Sequence, residues 1–171
     1  MRLKKKGFLL AGAAAAVIAL LCLWYTRPRT WVEITGDDAE VLFASLTMAD
    51  PDWEAETAEE KLGYLHWQLR QEDPGFDEAA GAILQALEQR TFRASLDSLI
   101  PREQISLGWS DDITAAITWG EGNRQFFYFG ESGKMISHNG WGYDIYYCDP
   151  ALFYELVEIV RTYGVPEEAT G

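Results

Sequence analysis

The chain predicts an α+β protein: an N-terminal transmembrane helix followed by one domain in which an antiparallel β-meander packs against helices. Three observations carry this. Residues 7–25 form an uncharged apolar run, residues 113–147 alternate apolar and polar positions between glycine-rich turns, and residues 151–163 place apolar side chains at helical spacing. Aromatic content of 13% and apolar content of 48% over 171 residues are enough for a packed core.

Gly7 to Tyr25 (GFLLAGAAAAVIALLCLWY) is 19 residues without a charge or a proline. As a helix it reaches roughly 28 Å at about 1.5 Å per residue, close to the hydrocarbon thickness of a bilayer. Trp24 and Tyr25 stand at its end, where amphipathic rings favour the membrane interface. A cleaved secretory signal needs small residues just after the apolar core, and Leu21-Cys22-Leu23-Trp24-Tyr25 is mostly too large. Lipid attachment at Cys22 calls for a small residue before it, and Leu21 stands there. The run therefore reads as an uncleaved signal anchor.

Arg2, Lys4, Lys5 and Lys6 precede the span, and only Arg27 and Arg29 follow it closely, so the start is expected in the cytoplasm and the rest outside it. This divides the chain into a basic cytoplasmic tail (1–6), the transmembrane helix (7–25), a linker (26–30) and an extracytoplasmic α+β domain (31–166). The expected location is the cell membrane, crossed once. Gly12 and Ala16, or Ala11, Ala15 and Ala19, offer small residues four apart through which two spans can pack into a weak homodimer.

Thr30–Thr35 (TWVEIT) nearly alternates and reads as a strand. Asp37, with Glu40 three residues on, reads as the cap of a helix to about Met48, with Val41, Leu42, Ser45 and Leu46 inward. The acids of 50–54 invite a calcium loop, but its sixth and twelfth positions hold Ala55 and Lys61 instead of glycine and glutamate. Thr57-Ala58-Glu59-Glu60 reads as a capping box for a helix to about Gln71, with Leu62, Leu65 and Leu69 in line. Asp73-Pro74-Gly75 breaks it, and Asp77 caps a helix with Ala80, Ile83, Leu84 and Leu87 inside. Thr91–Leu96 leans to strand.

The meander then runs through Ile105–Trp109, Ile113–Trp119, Arg124–Phe129, Lys134–Ser137 and Trp141–Tyr147. Asp149-Pro150 opens the last helix, whose Leu152, Phe153, Leu156, Val157, Val160 and Tyr163 share one face. Residues 166–171 read as a frayed end.

All 27 acidic residues lie beyond residue 29, where only eight of the 14 basic residues remain, a net charge of −19 for that part. Such a surface repels phosphate backbones, so nucleic acid is excluded as a partner. Cys22 sits in the apolar run and is out of reach of Cys148, so neither a disulfide nor a cysteine metal cluster is expected. Cys148 before the last helix, with His138 in the same meander, is the one candidate for a cysteine-dependent hydrolase, and no flanking motif supports it. His66 lies between Leu65 and Trp67, and no phosphate loop, nucleophile elbow or zinc-protease helix is present. The expectation is a non-enzyme without metal or cofactor.

Rings crowd the meander on both strand faces. Trp119, Trp141 and Tyr146, with Asp144 near them, are the candidate ligand-binding residues, suited to a carbohydrate or a peptide strand if they point outward. The competing account is core packing with cross-strand ring pairs. The function expected is a membrane-anchored, non-catalytic binding domain for a protein or envelope partner, with a carbohydrate-binding module as the alternative.

Overall fold

The computed structural model describes residues 2–49, 64–99, 112–119, 123–138 and 142–167. They form one nine-stranded antiparallel sheet with helices packed on it, an α+β fold. In chain order the elements are α1 (Arg2–Tyr25), β1 (Pro28–Thr30), α2 (Trp31–Thr35), β2 (Glu40–Ala49), β3 (Tyr64–Arg70), α3 (Phe76–Glu88) and β4 (Thr91–Ala94). A 3-10 turn (Leu96–Leu99), β5 (Asp112–Trp119), β6 (Asn123–Gly130), β7 (Lys134–His138), β8 (Tyr143–Tyr147), α4 (Ala151–Tyr163) and β9 (Val165–Glu167) follow. Across the sheet the order is β1-β4-β8-β7-β6-β5-β2-β3-β9.

The centre is the predicted meander: β5, β6, β7 and β8 pair in sequence, with Ala115 opposite Phe127, Phe127 opposite Ser137 and Met135 opposite Tyr146. The glycine at the β6–β7 turn is required there. Gly133 has φ +75°, and a Cβ on it would lie 2.4 Å from the Cys148 carbonyl oxygen. That close approach also lets the Cys148 amide donate to the Gly133 carbonyl at 2.8 Å.

One sheet face carries the helices. Ala44 and Leu46 of β2, Leu69 of β3, Ile113 and Ala115 of β5, Phe127 and Phe129 of β6 and Met135 of β7 point into the core. There they meet Ile83, Ala86 and Leu87 of α3 and Leu152, Phe153, Leu156, Val157 and Val160 of α4. The predicted apolar face of α4 is the buried one. Its start differs slightly: Pro150 is the cap residue, and Asp149 accepts from the Ala151 amide at 3.0 Å. The cap of α3 is Gly75 at φ +86°, two residues before the expected cap Asp77, and Arg90 just beyond the helix pairs with Glu155 of α4 at 2.9 Å.

Three expected elements change type. Residues 31–35 form a helical turn instead of a strand, because Thr30 and Glu33 close a capping box: the Glu33 amide donates to Thr30 Oγ1 at 3.3 Å and the Thr30 amide to Glu33 at 2.9 Å. Residues 40–49 form strand β2 instead of a helix, with a register shift between Val41 and Phe43. Residues 64–70 form strand β3 instead of the end of a helix, with Trp67 and Leu69 turned into the core. The capping box at 57–60, the acidic stretch at 50–56 and the segment 105–109 lie outside the described residues. At the C-terminus 165–167 pair with β3 as β9 instead of fraying.

Among the described residues no helix is long and apolar enough to cross a membrane. The described side chains of α1 begin at Gly12. From there Val17, Ile18, Leu20, Leu21, Leu23 and Trp24 are exposed by 55% to 68%, whereas Tyr25 packs against the core. The chain does not slacken after α1. The Thr26 hydroxyl donates to the Cys22 carbonyl at 2.9 Å, Arg27 pairs with Glu33 at 3.0 Å, and 28–30 enter the sheet beside β4.

Trp31, 1% exposed, is the largest fully buried side chain among the described residues and touches the rings of Phe92 at 5.6 Å and Phe127 at 4.9 Å. Replacing a buried ring with a methyl group removes its contacts and leaves a cavity. Trp31→Ala is expected to cost about 3–5 kcal/mol in urea unfolding of the full chain in detergent, followed by circular dichroism. Gly133→Ala is expected to lower the midpoint as well, and an unchanged midpoint would contradict the required left-handed turn.

Candidate functional site

β8 carries two of the predicted site residues, Asp144 and Tyr146, and places both on one face. Asp144 and Tyr146 alternate onto the helix face, where they sit opposite Ser137 and Met135 of β7. Tyr146 is only 7% exposed and belongs to the core, so its ring is not part of an open platform. Trp119 ends β5 opposite Asn123 of β6, and Trp141 lies outside the described residues.

Asp144 and Tyr146 belong instead to a polar cluster under the exit of α1. Arg29 donates through Nη2 to the Tyr25 carbonyl at 3.2 Å, and its guanidinium carbon lies 5.6 Å from the centre of the Tyr25 ring. Burial raises the Asp144 carboxyl above its ordinary range, and the nearby Arg29 charge opposes that shift. Burial, reinforced by the Asp144 charge, pushes the Tyr146 phenol up to about 12, with Arg29 again opposing. Among the described residues no hydrogen-bond partner reaches the buried Arg29 Nε and Trp31 Nε1. Ser137, itself buried, accepts from the Gln125 amide.

The opposite face is built from the alternate residues of the same strands, and among the described residues no α-helix packs on it. Pair registers line up Arg70 of β3, Phe43 of β2, Ala116 of β5, Phe126 of β6, His138 of β7 and Tyr143 of β8 as one row across six strands. The rings of His138 and Tyr143 are in contact at 4.6 Å. Phe126 is 44% exposed. Beside it lies a groove of about 350 Å³ lined by Leu42, Phe43, Gln71, Arg124, Gln125 and Phe126. Farther along the face, Arg93 of β4, Tyr147 of β8 and Lys134 of β7 form another cross-strand row.

This row was not among the predicted site residues. The placement of Arg124 and Phe126 on one strand face is readable from alternation, but Phe43 joins them only because 40–49 is a strand.

Cys148 and His138 are not brought together. Cys148 is tied to Gly133 at one end of β7, its thiol 3.4 Å from the Gly133 carbonyl, and His138 ends the strand roughly 13 Å away at about 3.3 Å per residue. Burial, reinforced by Asp149 and opposed by Arg90, pushes the thiol up to about 11, away from a reactive thiolate. His66 faces the Thr47 hydroxyl at 3.3 Å. Among the described residues no group of three or more His, Cys, Asp or Glu side chains is placed to hold a metal.

Comparison with known proteins finds no matching family model, no similar curated protein and no similar solved structure.

Two outcomes test this site. Asp144 binds its proton more tightly folded than unfolded, so its contribution is present below the ordinary value of 3.8 and lost as pH rises through the raised one. Asp144→Asn escapes that loss, and its stability relative to the parent is expected to rise as pH increases above the ordinary value of 3.8 in urea melts. In a Cys22→Ala background a thiol reagent at neutral pH is expected to label Cys148 slowly in the folded chain and at an ordinary rate in urea.

Proposed function

We propose that the chain is a single-pass membrane protein whose acidic α+β domain lies outside the cytoplasm and works by binding, without catalysis, a protein or another envelope component. The supporting observation is the surface of α1: six large apolar side chains between Val17 and Trp24 stand exposed, with no protein partner to cover them among the described residues. An apolar surface of this kind, running back into the uncharged residues from Gly7, is matched by lipid. Arg2, Lys4, Lys5 and Lys6 before it, against Arg27 and Arg29 after it, orient the span with its start in the cytoplasm.

The junction gives the anchor a mechanical role. Tyr25 packs on the core, Arg29 grips the last turn of α1, and β1 begins at Pro28, so the domain is held close to the membrane at a set attitude. Tethering of this kind raises the effective concentration of the domain toward anything else at the same surface.

In the producing cells the full chain is expected to resist carbonate extraction, and a protease added outside intact cells is expected to reach the C-terminal half. Removal of residues 1–25 is expected to release the chain from the membrane. Extraction by carbonate, or full protection of the C-terminal half, would refute the proposal.

A further inference from the structure

Within the reading of this domain as an extracytoplasmic binding module, we infer that the groove on the sheet face turned away from α3 and α4 binds an acidic glycan, with sugar rings stacking at Phe126 and Phe43 and an anionic substituent meeting Arg124.

Shape supports it first. Phe43 and Phe126 are two strands apart in one row, about 9–10 Å at the usual strand spacing, with Ala116 at the register position between them. A ring stacked between two aromatic faces needs about 7 Å, at roughly 3.5 Å of carbon contact on each side. The groove at this point adds the Gln71 amide and the Arg124 guanidinium to the two rings. Stacking faces with a few polar groups are what a pyranose with its apolar ring face and hydroxyl rim requires.

Charge supports it next. The domain has eight basic residues, and the registers place Arg70, Arg93, Arg124 and Lys134 on this face. Arg70 is paired with Glu167 at 3.0 Å, whereas among the described residues no ion pair reaches the exposed Arg124. Asp77, Glu78, Glu88 and Glu158 are exposed on the helices of the opposite layer. Helix and sheet layers are separated by about 10 Å, and the Debye length in physiological salt is about 8 Å, so those acids are largely screened from a ligand at Arg124. On the bound face itself the exposed Glu40 stands in the same row two strands away, about 9–10 Å from Arg124. An arginine fork holds a carboxylate or phosphate in a bidentate grip.

A peptide strand is the weaker fit. Extended peptides gain affinity from backbone hydrogen bonds at a sheet edge, and β2, β5, β6, β7 and β8 are each paired on both sides. The aromatic row crosses the strands on their flat face, where side chains alone are offered.

The test is calorimetric titration of the full chain in phosphatidylcholine nanodiscs with hexagalacturonate, its methyl ester, and hexaglutamate as the peptide rival. Saturable binding of hexagalacturonate is expected, at least tenfold weaker for the methyl ester, for Arg124→Gln and for Phe126→Ala. Phe126→Leu, which keeps apolar bulk without the ring, is expected to weaken binding too, and Tyr154→Ala on α4 to leave it unchanged. Absent saturable binding, equal binding of the methyl ester or of hexaglutamate, or undiminished binding by the folded Arg124→Gln and Phe126→Leu chains would overturn the inference. Retention in the nanodisc is scored separately, so loss of glycan binding and loss of the membrane reading are told apart.

Discussion

The contact on which the rest depends is that of one indole. Trp31 reaches from a single capped helical turn to Phe92 on β4 and Phe127 on β6, bridging the strands between them. A helix of five residues has little stability of its own, so α2 exists through its capping box and through this burial. The Thr35 hydroxyl closes the turn by donating to the Trp31 carbonyl at 3.2 Å. Because α2 follows α1 by five residues, the indole that seals the core also sets where the N-terminal helix leaves the domain.

Around that contact the sheet is two-sided in chemistry as well as in packing. The helix face carries the apolar core, interrupted where Asp144 and Tyr146 lie near Arg29 and where Gln125 donates to buried Ser137. The other face is aromatic and cationic at its rim yet closed at its centre, where Ile136 and Ile145 are buried. There the Leu96–Leu99 turn takes over from β4: the Ile145 amide donates to Ser98 Oγ at 2.8 Å, so a hydroxyl replaces a missing ladder partner. Both outer strands, β1 and β9, are three residues long and contain a proline, Pro28 and Pro166. Short edges lacking a backbone donor resist pairing with other chains, which suits an aromatic-rich sheet of nine strands.

The central meander and α4 were legible because their patterns are local and regular: alternate residues in Ile113–Trp119 and Arg124–Phe129, and a 3.6-residue stripe from Leu152 to Tyr163. β2 was not, because its register shift near Leu42 breaks the two-residue period. Val41 and Ala44 are then buried three residues apart, as on a helix. For α2 the signal was present in the Thr30-x-x-Glu33 spacing, but one turn of helix alternates almost as a strand does. In β3 the alternation of Leu65, Trp67 and Leu69 competed with an i, i+4 reading of Leu65 and Leu69.

The amino-acid sequence alone determined the apolar N-terminal run, the charge imbalance on either side of it, and the period of each well-patterned element, because these depend on neighbours in the chain. Tertiary structure decided which face of each strand meets the helices. It put Tyr146 inside with half-buried Asp144 on the same face, set Cys148 apart from His138, and brought Phe43 into line with Phe126 beside Arg124. Those outcomes turn on strand register, and a shift of a single residue would exchange the two faces.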